Sequence, residues 1–229
     1  MSEYGGQILD LMRQVEECEG LRILNRTDSL ATTIQIFKTN HHRLSSLLRR
    51  FREDREFTMK ASQNSPEFFI QVHVLHHNFL AAVVTLVDHA RTFADEMYGG
   101  TEFRDEYQQR VDEDFKAPLP EFVRRLRNYV LHYRLPLATM TVHIDKPAEL
   151  LLKIGQLRDW TGWTPLALEY LDTLGDREPF ETHVTEYEKI TEGFYEWFNS
   201  RITEIHREEL DEYWHLRDRI EELRELDRQ

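Results

Sequence analysis

Cys18 is the only cysteine among 229 residues, so no disulfide framework can form within the chain, and a reducing compartment is expected. Its neighbours Glu16, Glu17 and Glu19 surround it with negative charge, which disfavours a thiolate nucleophile. Long apolar runs are also missing. The longest, FLAAVV at 79–84, is far short of the roughly 20 residues that a membrane-spanning helix needs. The opening residues, MSEYGGQILDLMRQVEE, carry acids and no apolar signal core, so no secretory leader is expected. These absences predict a cytoplasmic protein with no membrane partner. No fixed-period repeat or low-complexity tract is present. Nor is there a Walker loop, a GxGxxG turn, a GxSxG elbow or an HExxH helix, so the nucleotide-binding and hydrolase classes marked by those motifs lose their support. Excess positive charge is absent as well. The net charge of −13 argues against a protein that coats nucleic acid through a generally basic surface.

What remains is an ordinary water-soluble composition, 40% hydrophobic and 31% charged. The length allows one large domain, or one domain with an extension. A body of this size buries roughly 70% of the surface its unfolded chain exposes, so no staple is needed. The charge is unevenly spread. Residues 177–229 hold 16 acids against 8 bases, whereas residues 121–134 hold one acid and four arginines. A local anion site is therefore compatible with an acidic whole.

The apolar spacing reads as mostly helix. Leu44, Leu47, Leu48 and Phe51 recur at helical intervals and predict a helix over about 29–57. KASQNSP (60–66) reads as a linker, with Ser65 as N-cap and Pro66 at the first helical position. From Pro66 to Met97 one apolar face persists for about eight turns, until Gly99-Gly100. A further helix spans 101–115, and another runs from Leu119 to about Arg134 after Pro118. LATMTVHI (137–144) and AELLLKI (148–154) alternate like strands about a DKP turn and predict a hairpin. Thr164-Pro165 opens a helix that runs to Gly175, and 179–226 reads as one or two long helices. The expected fold is mainly α: a helical bundle with a small β-hairpin at about 137–155 and a long C-terminal helical arm. The expected division is an N-terminal helical extension at 1–60 and a helical domain at 61–229.

The chemistry concentrates in EFVRRLRNYVLHYRLP (121–136). On a helical wheel at 100° per residue, Leu119, Phe122, Val123, Leu126, Val130 and Tyr133 share one face, with Tyr129 at its border. Arg124, Arg127, Asn128 and His132 fall on the other. Asn128 and His132 are one turn apart, and Asn128 lies between Arg127 and His132. An imidazole can move a proton near neutral pH. A guanidinium forks onto phosphate oxygens and steadies the charge of a pentavalent phosphorus. An amide can orient either group. Together they can cleave RNA without a metal or cofactor, the ribose 2′-hydroxyl attacking its own phosphate to leave a 2′,3′-cyclic end. In that scheme His132 is the acid/base, Arg127 the clamp and Asn128 the positioner, while Arg124 and Arg134 help to bind substrate. One imidazole cannot easily take one proton and give another at once, and a second copy of the chain would supply its partner.

Arg127-Asn128 followed by His132, inside a helix and preceded by a long amphipathic helix, resembles the HEPN superfamily. Its signature is an arginine, a polar residue and a histidine after a short gap. LRNYVLHYRLP, the hairpin and RDWTGW together resemble a bacterial branch with HEPN-like helices. The resemblance covers about 66–136. It implies an up-and-down bundle, a homodimer with the motif across its interface, and a metal-independent endoribonuclease of toxin or phage-defence type, at times held by an antitoxin or another protein partner. Some such toxins carry a tyrosine two places after the histidine; that place is Arg134 here, so regulation through it is not implied. The alternative is a non-catalytic bundle, acting as a protein-interaction scaffold or an RNA-binding module. Elsewhere, His73, His76 and His77 share spacing that can hold zinc, but His76 falls on the apolar face and no second ligand pair accompanies them, so no metal is expected. Trp160 and Trp163 are read as cover for the hairpin and an anchor for the next helix, with stacking on a base as the lesser alternative.

Overall fold

The computed structural model describes residues 4–143 and 145–228. Among them are ten helices and three strands, a mainly α fold with a small antiparallel sheet. The chain divides into two compact units, Met1–Thr32 with Tyr195–Gln229, and Thr33–Phe194. Neither ends near residue 60, where the sequence suggested a boundary.

In the first unit, α1 (Gly5–Glu17) packs along α10 (Arg207–Asp227). The start of α2 (Glu19–Glu53) also approaches α10 closely. Gly20 faces the Glu209 carbonyl and Tyr213 Cβ so tightly that a β-carbon would collide with both. Ile23, Leu30, Phe198, Ile202, Ile220 and Leu223 are buried. The long stripe expected over 179–226 is two helices, α9 (Thr182–Ile205) and α10, broken at His206.

The second unit holds α3 (Arg55–Gln63), α4 (Ser65–Tyr98), α5 (Glu102–Phe115), α6 (Pro118–His132), α7 (Ile154–Arg158) and α8 (Pro165–Thr173), with parts of α2 and α9. The helix expected over 29–57 stops at Glu53. Asp54 then starts α3 by accepting a 3.0 Å bond from the Phe57 N–H. The expected linker at 60–66 is therefore mostly the end of α3, and Asn64 rather than Ser65 caps α4. Pro66 sits in the first turn of α4, where its missing N–H costs nothing. Gly99 ends that helix, and Gly100 takes φ +80°, a conformation that favours glycine.

Among the described residues, α4 alone is long and apolar enough to cross a membrane by length and composition, although no single apolar run in it is long. Its buried residues, from Phe68 and Val72 through Phe79, Leu86 and Ala90 to Tyr98, form the spine of this unit's core. Phe37 and Tyr187 meet Phe79 at 5.7 and 6.4 Å between ring centroids, and Phe51 stacks on Phe68 at 4.6 Å.

The expected hairpin is β1 (Ala138–Thr141) against β2 (Glu149–Lys153), in register Thr139 opposite Leu151; the expected strand residue Ile144 lies outside the described residues. The sequence missed a third strand, β3 (Arg177–Pro179), which pairs antiparallel with the other edge of β2. Its residues are charged or proline, and two backbone bonds at its ends hold it, Ile154 N–H to Asp176 at 3.0 Å and Phe180 N–H to Leu150 at 2.9 Å. Leu150 and Leu152 turn into the core, as the alternating pattern requires.

Candidate active site

The site is built on α6. Pro118 and Pro120 fix its first turn, and Phe122, Val123, Leu126 and Tyr129 are each 0–1% exposed. Burying each such side chain contributes about 1.5–3 kcal/mol, enough to set the rotation of the helix about its axis. Within the helix the expected face is buried at Phe122, Val123 and Leu126, and Tyr129, placed at its border, is fully buried with them. Tyr133, placed within that face, stands one residue past the end of α6 and is 49% exposed. Tyr129 is held by an aromatic cluster. The Tyr129 ring packs against both Trp160 and Trp163, at centroid distances of 5.4 and 6.0 Å, and Phe122 stacks on Trp163 at 5.3 Å.

Glu121 anchors the start of α6. Its carboxylate accepts two 2.7 Å bonds from Arg124, one of 3.1 Å from Arg125, and one of 2.8 Å from the Thr164 hydroxyl that also caps α8. Burial pushes this carboxyl up. The bonds from Thr164, Arg124 and Arg125 outweigh burial and hold it below its ordinary value. Arg124, read from the sequence as a substrate contact, is thus already clasped in a fork by a carboxylate.

Arg127 is different. Its Nη1 donates to Asn128 Oδ1 at 3.2 Å. Its Nε is buried with no hydrogen-bond partner, and among the described residues no carboxylate lies within ion-pair distance of its guanidinium. Arg127 and Asn128 line a cleft of about 370 Å³ with Val83, Val87, Asp88 and Arg91 of α4, Phe115 of α5 and Tyr187 of α9. That volume lies within the roughly 300–1,000 Å³ of small-molecule sites. Asp88 pairs with Arg91 at 2.9 Å, and Glu121 with Arg124. Three guanidiniums therefore face two carboxylates, and the unbalanced charge is that of Arg127.

His132 is the last residue of α6. It is exposed, one turn beyond Asn128, and lies outside the lining of this cleft. The fold thus brings Arg127 and Asn128 together and sets the imidazole on the adjoining surface. Arg134, also exposed, lies over the Tyr133 ring at 4.5 Å from its centroid and donates to the Tyr133 hydroxyl at 3.0 Å.

Of the three histidines at 73–77, only His76 is buried, and it serves packing. His76 Nε2 lies 2.9 Å from His183 Nε2, a bond between two buried neutral rings in which one donates and the other accepts. Burial lowers His183 to about 3 and, with the neighbouring His183, His73 and His77, holds His76 well below its ordinary value. Among the described residues no group of three or more His, Cys, Asp or Glu is arranged to hold a metal ion.

Sequence reasoning missed Glu121, Thr164, Asp88 and Arg91 as neighbours of the site. Glu121 was within reach, since it stands three and four residues before Arg124 and Arg125. The others come from separate helices. Compared with family models, with curated proteins and with solved structures, the chain matches none.

Proposed function

We propose that the protein is a metal-independent endoribonuclease of the kind its HEPN-like motif implies, acting on RNA at Arg127, Asn128 and His132. The observation that carries this reading is the Arg127 guanidinium. It opens onto a cleft, has no carboxylate partner among the described residues, and carries a buried Nε in want of an acceptor. A phosphate oxygen supplies that acceptor. Asn128 holds the guanidinium from one side. His132 accepts the proton of the ribose 2′-hydroxyl as its oxygen attacks phosphorus. The bond from phosphorus to the 5′-oxygen breaks, and the departing oxygen takes a proton from a second imidazole, that of another copy of the chain. The products are a 2′,3′-cyclic phosphate and a 5′-hydroxyl.

Incubation with RNA in EDTA tests the scheme. Cyclic-phosphate ends are expected, with the rate falling about 10²–10⁴-fold in His132→Ala, as loss of a general acid/base implies. Arg127→Ala should lose cleavage as well. Wild-type protein that yields no such ends, or His132→Ala that cleaves at the parent rate, overturns it.

A second reading, a non-catalytic bundle that engages a protein partner, is favoured by Ile70, Val74 and Val87, apolar side chains of α4 that are 63%, 53% and 42% exposed. Assembly unaltered in both variants, with no RNA interaction, would favour it.

A further inference from the structure

The two tryptophans of Trp160-Thr161-Gly162-Trp163 do different work. Trp163 is buried, and its indole N–H donates to the Leu157 carbonyl at 2.6 Å, pinning α7 under α6. Trp160 is only partly buried, and its backbone N–H donates to the same Leu157 carbonyl at 3.1 Å. The Trp160 ring lies across Gly162 so closely that a β-carbon there would run into the indole. It stands edge-on to Trp163 at 4.8 Å and to Tyr129 at 5.4 Å, so three contacts fix its orientation. Beyond it, Tyr133 runs nearly parallel to Trp160, at 6.3 Å between centroids and 29° between planes, with Arg134 laid over its ring. Tyr133 follows His132 directly in the chain and is half exposed.

A braced and partly buried indole, a half-exposed phenol and an exposed guanidinium laid over that phenol form a surface that suits a flat, polarisable group. Such a surface stacks nucleobases, because every base presents a π-face and because a guanidinium plane adds cation–π attraction. Its occupant is set by charge as well as shape. The stretch from 121 to 134 carries four arginines against one acid within a chain of net charge −13, so an anionic strand is drawn to this end of the molecule. A base paired within a duplex keeps its faces in the helical stack, whereas an unpaired base can turn out onto an aromatic side chain. We infer that Tyr133 and Trp160, with Arg134, form a stacking platform for an unpaired base of single-stranded RNA, the base flanking the phosphate held at Arg127. The position of that phosphate rests on the ribonuclease reading; the platform itself requires only that RNA binds.

The test uses the full chain carrying His132→Ala, to prevent turnover, and a fluorescein-labelled single-stranded oligouridylate beside an RNA duplex of equal length. Anisotropy should show the single strand preferred, with tryptophan fluorescence quenched on binding. Tyr133→Ala, with its fold checked by circular dichroism, should weaken single-strand binding about 5- to 150-fold, the span that base–aromatic stacking implies. Tyr133→Phe, which keeps the ring, should restore it. Trp160→Ala should weaken binding and remove the quench. Parent-like binding by a folded Tyr133→Ala, preference for the duplex, or no binding at all overturns the platform. The two proposals fail separately. If Arg127→Ala abolishes cleavage while Tyr133→Ala neither binds less nor cleaves less, the platform falls and the nuclease stands. If Tyr133→Ala lowers binding but the wild type leaves no cyclic ends, the platform stands and the nuclease falls.

Discussion

Replacing Arg127 with methionine should leave the fold as stable as before, or more so, while removing the RNA cleavage proposed above. The Arg127 Nε is buried without an acceptor, and leaving such a group desolvated costs about 1–3 kcal/mol. Methionine removes that cost and fills a similar unbranched volume. What is lost is one partly exposed bond, from Nη1 to Asn128 Oδ1 at 3.2 Å, with a net contribution of about 0.5–1.5 kcal/mol. The balance is a change from near zero to about 2 kcal/mol in favour of the variant. In a chain of this length each kcal/mol raises Tm by about 2–4 °C. Glu121→Ala is the matched opposite. It strips the shared acceptor from Arg124, Arg125 and Thr164, at a cost of about 2–3 kcal/mol. Urea titration and thermal melts of the two variants against the parent give the comparison. A fall of more than about 1.5 kcal/mol in Arg127→Met would refute the reasoning, because it would mean that the guanidinium supports the fold in the way a buried, paired arginine does.

The buried His76–His183 pair predicts acid sensitivity. Both rings are held neutral, His183 down to about 3 from an ordinary 6.5. The unfolded chain therefore takes up protons below pH 6.5 that the folded chain refuses, and stability is whole above that pH and falls as pH drops from 6.5 towards 3. Two such sites give a slope of up to about 2.7 kcal/mol per pH unit, and urea midpoints that stay flat from pH 7.5 to 5 would contradict it. In the other unit, Gly20→Ala drives a β-carbon into the Glu209 carbonyl, which is backbone and has little room to yield. The α1–α10 unit should lose about 2–3 kcal/mol, seen as faster amide exchange in α1 and α10, and unchanged exchange there would count against the close approach.

The long amphipathic helices could be read because each presents one apolar stripe that must be buried. Phe68, Val72, Phe79, Leu86 and Ala90 of α4 recur at helical intervals and are all at most 4% exposed. Local chemistry also marked the Thr164-Pro165 start of α8, where the Thr164 side chain accepts from the Ala167 N–H. What stayed hidden was whatever depended on partners distant in the chain. Arg-Glu-Pro at 177–179 has no strand preference of its own and becomes β3 only because β2 offers it an edge. His183 meets His76 across 107 residues, and Thr164 meets Glu121 across 43. The break between α9 and α10 falls at His206 with no proline or glycine to announce it. For the site, the wheel separated the polar from the apolar side of α6 but carried the apolar face past the helix end to Tyr133 and left Tyr129 at its border, because nothing local says that Tyr129 has two tryptophans waiting for it.

The way α6 is buried bears on function. The core takes Phe122, Val123, Leu126 and Tyr129 from α6, and Arg124, Arg127, Asn128 and His132 are left on the cleft side or in the open. Arg124 and Arg125 spend their charge on Glu121 at the start of the helix. One turn later Arg127 has only an amide beside it, and at the end His132, Tyr133 and Arg134 are exposed. A helix whose sole purpose was packing would gain by replacing Arg127 with an apolar side chain, since an unsatisfied buried donor adds nothing to a core. Helix α6 and the residue after it instead change from satisfied charge, to a guanidinium short of an acceptor, to an exposed imidazole and a half-exposed phenol. In the proposed reading a phosphate backbone with an unpaired base at its side completes that series, the phosphate meeting Arg127 and the base meeting Tyr133.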